Sequence, residues 1–169
     1  MTMKGHRTIR SASLPHDAEE LMAVFAAARK IMRDSGNAFQ WNSGYPSLDV
    51  VRSDIEKDGG MVVEEDGHIV AYFAFLPSPE PTYSIIHHGA WVDDTLPYHV
   101  IHRMASHPDI HGIFGSIMDF CSSKERNIRV DTHKDNHIMQ HLILKHGFTY
   151  CGIIHLASGD ERLAYQRIR

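Results

Sequence analysis

Apolar positions along this chain switch between helical and alternating spacing, and the switches divide it into a series of short elements. Leu21, Val24, Phe25, Ala28, Ile31 and Met32 recur at helical spacing behind Asp17-Ala18-Glu19-Glu20. Asp17 reads there as an N-cap with an acidic residue following, so a helix is expected over roughly 17 to 34, after a short strand around Thr8-Ile9-Arg10-Ser11. A second helix is expected from a cap near Ser47. Met61 to Glu65 and His68 to Phe75 flank Asp66-Gly67, the pair that a type I′ turn favours, and read as a hairpin. Pro77, Pro79 and Pro81 stop that pattern, and Tyr83 to Trp91 reads as a further short extended piece. The C-terminal half then alternates: strand 99 to 106, helix 113 to 124, strand 128 to 132, helix 136 to 146, strand 148 to 156 and strand 162 to 168.

The strand-helix-strand unit implies parallel pairing through a right-handed crossover, whereas the hairpin implies antiparallel pairing. The expected class is α/β, a mixed sheet with helices on both faces. At 169 residues and 43% hydrophobic content the chain can build one core without a metal or disulfide, and a single domain over 6–169 is expected. Its net charge of −4, with lysines and arginines scattered, gives no footprint for nucleic acid. No apolar run approaches the ~18 residues of a membrane span. The start, Met1-Thr2-Met3-Lys4-Gly5-His6, lacks an apolar targeting core, so no membrane association and a cytoplasmic location are expected. Cys121 and Cys151 fall in apolar runs and read as small buried hydrophobes in a reducing compartment.

Between the strand ending at Ser106 and the helix starting near Ile113 runs His107-Pro108-Asp109-Ile110-His111-Gly112. A strand, a glycine-bearing loop and a helix N-terminus together present free backbone N–H groups, an arrangement able to hold a pyrophosphate. Further on, Arg129 to Asn136 is a strand ending at an Asp-Asn turn, followed by the helix of His137 to Ile143 and closed by Gly147-Phe148. This segment resembles the acetyl-CoA half of the GNAT (Gcn5-related) N-acetyltransferase family. The resemblance implies a mostly antiparallel central sheet with one parallel strand pair. It also implies acetyl-CoA as donor, with CoA as product, and acetyl transfer to an amine by direct attack on the thioester.

Carried over residue by residue, the resemblance assigns cofactor binding to Met104, Ala105 and Ser106 on the strand, to His111, Gly112, Ile113, Phe114, Gly115 and Ser116 in the loop and helix start, and to Asn136. Two departures stand out. The family loop follows Arg/Gln-x-x-Gly-x-Gly/Ala, and here His111 takes the Arg/Gln place, Phe114 the first glycine and Ser116 the last. Phe114 cannot adopt positive φ cheaply, so ordinary right-handed backbone must cradle the phosphates, and weaker CoA binding is expected. Seven residues after Asn136, where the family places a tyrosine acid, stands Ile143. Because a thiolate leaves readily at neutral pH, with thiol pKa near ~8.5, that loss slows the reaction without changing it.

The base remains to be found. His102, on the strand flanking the thioester in this family, is the first candidate, with Asp131 and His133 at the C-terminal end of the neighbouring parallel strand. Phe39, Trp41 and Tyr45 lie in an aromatic loop over 37–46 and are expected to bind the acceptor, a small amine or a peptide amino group. His137 and His141, four apart on one helix with His133 or Asp135 nearby, could face an ion, but fourteen histidines make such a pair a common accident, and no metal is assigned. The eroded glycine loop and Ile143 motivate an alternative, a catalytically weakened acyl-CoA-binding or sensing module. The last strands offer a route to a homodimer.

Overall fold

A computed structural model describes residues 6–41 and 44–169; Met1 to Gly5 and the Asn42-Ser43 part of the aromatic loop lie outside the described residues. The elements run β1 (Arg7–Ser11), α1 (Ala18–Asp34), α2 (Leu48–Glu56), β2 (Gly60–Glu65), β3 (His68–Pro77), a 3₁₀ turn (Pro81–Tyr83), β4 (His99–Ser106), α3 (Ile113–Lys124), β5 (Asn127–Thr132), α4 (His137–Lys145), β6 (Thr149–His155) and β7 (Glu161–Ile168). One sheet of seven strands has the order β1-β2-β3-β4-β5-β7-β6. Every neighbouring pair is antiparallel except β4 and β5, which are parallel. The mixed α/β class, the single parallel pair and helices on both faces are as expected.

Local chemistry explains most element ends. Asp66 and Gly67 sit at φ 54 and φ 84, the two positive values a type I′ turn requires. Ser47 caps α2 by accepting the Val50 N–H at 3.3 Å. Asp17 begins α1 without capping it: its carboxylate is taken by the Arg10 guanidinium at 2.8 and 2.9 Å and the Ser13 N–H at 2.8 Å. The charged partner on β1 outcompetes the helix amides, so this carboxylate fastens α1 to the sheet edge and is held below its ordinary pKa, first by Arg10. The expected strand over Tyr83 to Trp91 does not form. Pro81 and Tyr83 turn in 3₁₀ geometry, and the following chain makes one bridge, His87 to Ile153.

Packing divides the core by face. On one side α3 and α4 bury Ile117, Met118, Cys121 and Ile143 against Phe73, Ile128 and Val130. On the other, Leu21, Val24 and Phe25 of α1 and Val51 of α2 cover Val62 and Tyr72. The irregular segment 78–98 supplies Tyr83 and Trp91, which cover Val100, Ile154 and Ala164 where no helix lies. On α4 only part of the apolar face is covered: Ile143 is buried, but Ile138 is 55% exposed. Ile138 walls a cavity together with Met139 and Leu142, which also pack against the core. Both cysteines are buried and unpaired, and burial pushes the Cys121 thiol up to about 12.

Candidate active site

The site originates in an incomplete ladder. β4 and β5 pair only at His99 with Ile128 and Val100 with Arg129. Beyond those positions the strands part, and their edges become cavity wall. Ile101, His102, Arg103 and Met104 from β4 and Val130, Asp131 and Thr132 from β5 line a cavity of about 660 Å³. A second, of about 560 Å³, lies toward α3 and α4. Met32, Met104, Phe114, Asn136 and Met139 line both, so the two adjoin around the free end of β4.

A bulge sets the aim of β4. Tyr72 pairs with Ala105 and Ala74 with His102, which leaves Arg103 and Met104 opposite one residue of β3, and Arg103 adopts φ 55. This strained backbone is anchored by its own side chain. Arg103 Nε donates to Asp54 Oδ2 at 3.0 Å and Nη2 to Oδ1, while the Tyr72 hydroxyl donates to Oδ2 at 2.6 Å. Asp54, on α2, is 1% exposed. Arg103 Nη1 also reaches the Tyr45 hydroxyl at 3.4 Å, tying the aromatic loop to the same anchor. Burial first, then Asp54, raises the Tyr72 phenol above its ordinary range.

On the face covered by segment 78–98, four polar side chains meet at the parting of the strands. His102 Nε2 lies 3.1 Å from Glu80 Oε2, and His102 Nδ1 lies 3.9 Å from Asp131 Oδ2. The buried Tyr83 hydroxyl donates to that Asp131 oxygen at 2.6 Å. Glu80 also accepts from the Thr82 N–H at 3.2 Å and the Thr82 hydroxyl at 2.9 Å. The hydrogen bond with His102, more than the Thr82 donors, holds the Glu80 carboxyl down at about 2 against the opposing effect of burial. Tyr83 is raised well above its ordinary pKa by burial first and Asp131 second, so it stays a neutral donor.

Of the catalytic candidates, His102 and Asp131 are brought together and His133 is not. Its Nδ1 accepts the Asp135 N–H at 3.0 Å within the turn before α4, and burial first, then Arg162, lowers its pKa. Glu80 and Tyr83 were missed because they sit in a proline-broken segment with no periodicity, some 20 residues from His102 in sequence. Among the described residues, no three His, Cys, Asp or Glu side chains are grouped so as to hold a metal ion, and His137 and His141 are exposed.

The candidate cofactor residues collect around the second cavity. Met104, Ala105, Ser106, Asn136 and the run His111 to Gly115 all line it. Ser116 does not; its hydroxyl donates to the Gly112 carbonyl at 3.1 Å and accepts from Arg7 at 2.9 Å. Gly112 caps α3 at φ 76, the one positive φ in the loop, and Phe114 lies in helix as its side chain requires. Ile113, Phe114 and Gly115 open the helix, where N–H groups have no intrahelical acceptor. Arg7, from β1, reaches this end as well, donating to the His111 carbonyl at 3.0 Å while paired with Glu65 at 2.9 Å. Asn136 is largely committed: its Oδ1 caps α4 by accepting the Met139 N–H at 3.1 Å, and its Nδ2 donates to Gln40 at 3.0 Å. Phe39, Trp41 and Tyr45 line the first cavity, Phe39 at 76% exposure and Trp41 edge-on to Tyr45.

The fold is shared with solved structures. A GNAT-family acetyltransferase from Streptococcus agalactiae 2603 matches at 31% identity and TM-score 0.85, covering 99% of this chain and 98% of that one. This chain belongs to the GNAT family. An acetyltransferase of the family from Listeria monocytogenes 4b F2365 matches at 16% identity and TM-score 0.70, covering 96% of this chain and 95% of that one. The GNAT-like decarboxylase GphF, in complex with isobutyryl-CoA, matches at 15% identity and TM-score 0.65, covering 95% of this chain and 98% of that one. These last two share the fold. No family model matches the chain, and no curated protein does. Membership in GNAT supports acyl transfer as the general reaction. Among the described residues, no helix is long and apolar enough to cross a membrane.

Proposed function

We propose that the protein transfers an acetyl group from acetyl-CoA to an amine by direct attack, with His102 as the base that takes the amine proton. The observation that carries this is the placement of His102 at the parting of β4 and β5, hydrogen-bonded at 3.1 Å to Glu80 and facing the larger cavity. The residues around the second cavity fit a CoA: free amides at the start of α3 suit a diphosphate, and Lys145 adds positive charge to the lining. The donor supplies an activated thioester. His102 then accepts the proton an alkyl amine must lose before attack, and Glu80 and Asp131 orient the ring and stabilise its charged form. Met104 and the parted strand edges exclude water and align the reactants. Ile143 lines the larger cavity where the family tyrosine would supply a proton, so the thiolate leaves unassisted.

Calorimetric titration with acetyl-CoA, followed by thiol release over a panel of primary amines, tests this reading. Saturable binding with release is expected, and His102→Ala should lower kcat by ~10² to 10⁴ while leaving acetyl-CoA binding intact. Binding without release for every amine supports the sensing module, to which the altered loop and Ile143 also point. Absence of binding overturns both.

A further inference from the structure

Arg162 on β7 is 6% exposed and lines the larger cavity. Among the described residues its guanidinium donates only to two carbonyls, Glu161 O at 3.0 Å and Gln40 O at 3.3 Å. Among the described residues no carboxylate lies within 4.0 Å of it, and no aromatic ring stacks on it. Neither of the other two buried arginines in this half of the sheet lines the cavity. Arg129 pairs with Asp94 at 3.0 Å and lies between the rings of Trp91 and Tyr98, 4.0 and 3.9 Å from their centroids. Arg167 donates to the His146 carbonyl at 2.9 Å and to Ser122, and sits 5.1 Å from the Phe148 ring centroid. A buried charge is costly unless paired, so a guanidinium held against a cavity without a counter-charge gains most when an anion enters. Asp160 also lines this cavity but stands beyond ion-pair reach of Arg162.

The opposite sign is gathered nearby. Asp131 faces Ala164 across the β5–β7 ladder, and Arg162 lies two residues along β7 from Ala164 on the same side of the sheet. That offset is about 7 Å along the strand. One wall therefore carries the carboxylates of Glu80 and Asp131 around His102, and the next carries an uncompensated cation.

We propose that the acceptor is a small zwitterion, an amine with a carboxylate a few bonds away, whose nitrogen goes to the Glu80–His102–Asp131 cluster and whose carboxylate goes to Arg162. This rests on the transferase reading above and narrows its substrate class from amines to amino acids. Thiol release from acetyl-CoA, measured for free amino acids and for the same amino acids as carboxamides, is the test. Wild-type protein should favour the carboxylate partner by ~10- to 100-fold in kcat/KM, mainly through KM, the factor expected for a hydrogen bond to a charged group. Arg162→Gln should bring the ratio close to one, and Arg162→Lys should keep part of it, with circular dichroism melts confirming that both fold. Equal use of carboxamides by wild type, or a ratio unchanged in Arg162→Gln, overturns the proposal. If no amine releases thiol, the transferase reading fails and calorimetry with the same panel decides this one separately. Carboxylate-dependent binding lost in Arg162→Gln upholds it; no binding by any member sinks it.

Discussion

Glu80 and His102 form the contact on which the proposed chemistry turns, and Glu80 carries a pH signature that can be measured. Its carboxyl is held at about 2 in the folded protein against an ordinary value of 4.5, so the bond stabilises the fold fully above about pH 4.5 and is lost as pH falls through 2. Thermal melts of wild type and Glu80→Gln should differ at pH 5, and the gap should close steadily below 4.5; a gap independent of pH would assign the stabilisation to something other than this carboxylate. Cys121 shows the opposite shift, burial raising it against the opposing charge of Arg167. With the thiol pushed up to about 12, thiolate is scarce at pH 8, and native protein should resist alkylation that labels the urea-unfolded chain readily.

Among the elements, β4 does most to place the site, and α2 fixes β4. Asp54 reaches from α2 into the bulge, where the Arg103 guanidinium and the Tyr72 hydroxyl share its carboxylate. Removing one partner of so buried a pair leaves the other uncompensated, and Asp54→Ala should cost about 3–5 kcal/mol in urea denaturation. Tyr72→Phe removes one hydrogen bond to a charged group and should cost about 1.5–3 kcal/mol. Since the bulge lets His102 and Ala105 face the same side, the Asp54→Ala protein should also lose turnover beyond its loss of stability. Hydrophobic periodicity located β4 correctly but carried no sign of the bulge, because an inserted residue is visible only against the partner strand's register.

For the molecule as a whole, the segment 78–98 closes one sheet face without regular structure, and its seat depends on close backbone approach. A Cβ at Gly89 would overlap the carbonyl oxygen of Cys151, so Gly89→Ala should displace the segment, lower the melting temperature and loosen Glu80 from His102 together. Hydrogen exchange across residues 78–98 would reveal that displacement. The sequence by itself determined the elements with strong periodicity: the Asp66-Gly67 hairpin, α1, α3, and the strand-helix-strand unit whose crossover made β4 and β5 parallel. It also located the groups later found around the smaller cavity, because strand, glycine loop and helix start are contiguous in the chain. Tertiary structure decided the rest. Glu80 and Tyr83 reach His102 and Asp131 from a segment with no local signature, Arg162 enters their cavity from a strand some 60 residues away in sequence from His102, and Asp17 left its helix for Arg10. Backbone patterns are local and can be read along the chain, whereas the partner of a buried charge is settled only when distant segments compete for it in three dimensions.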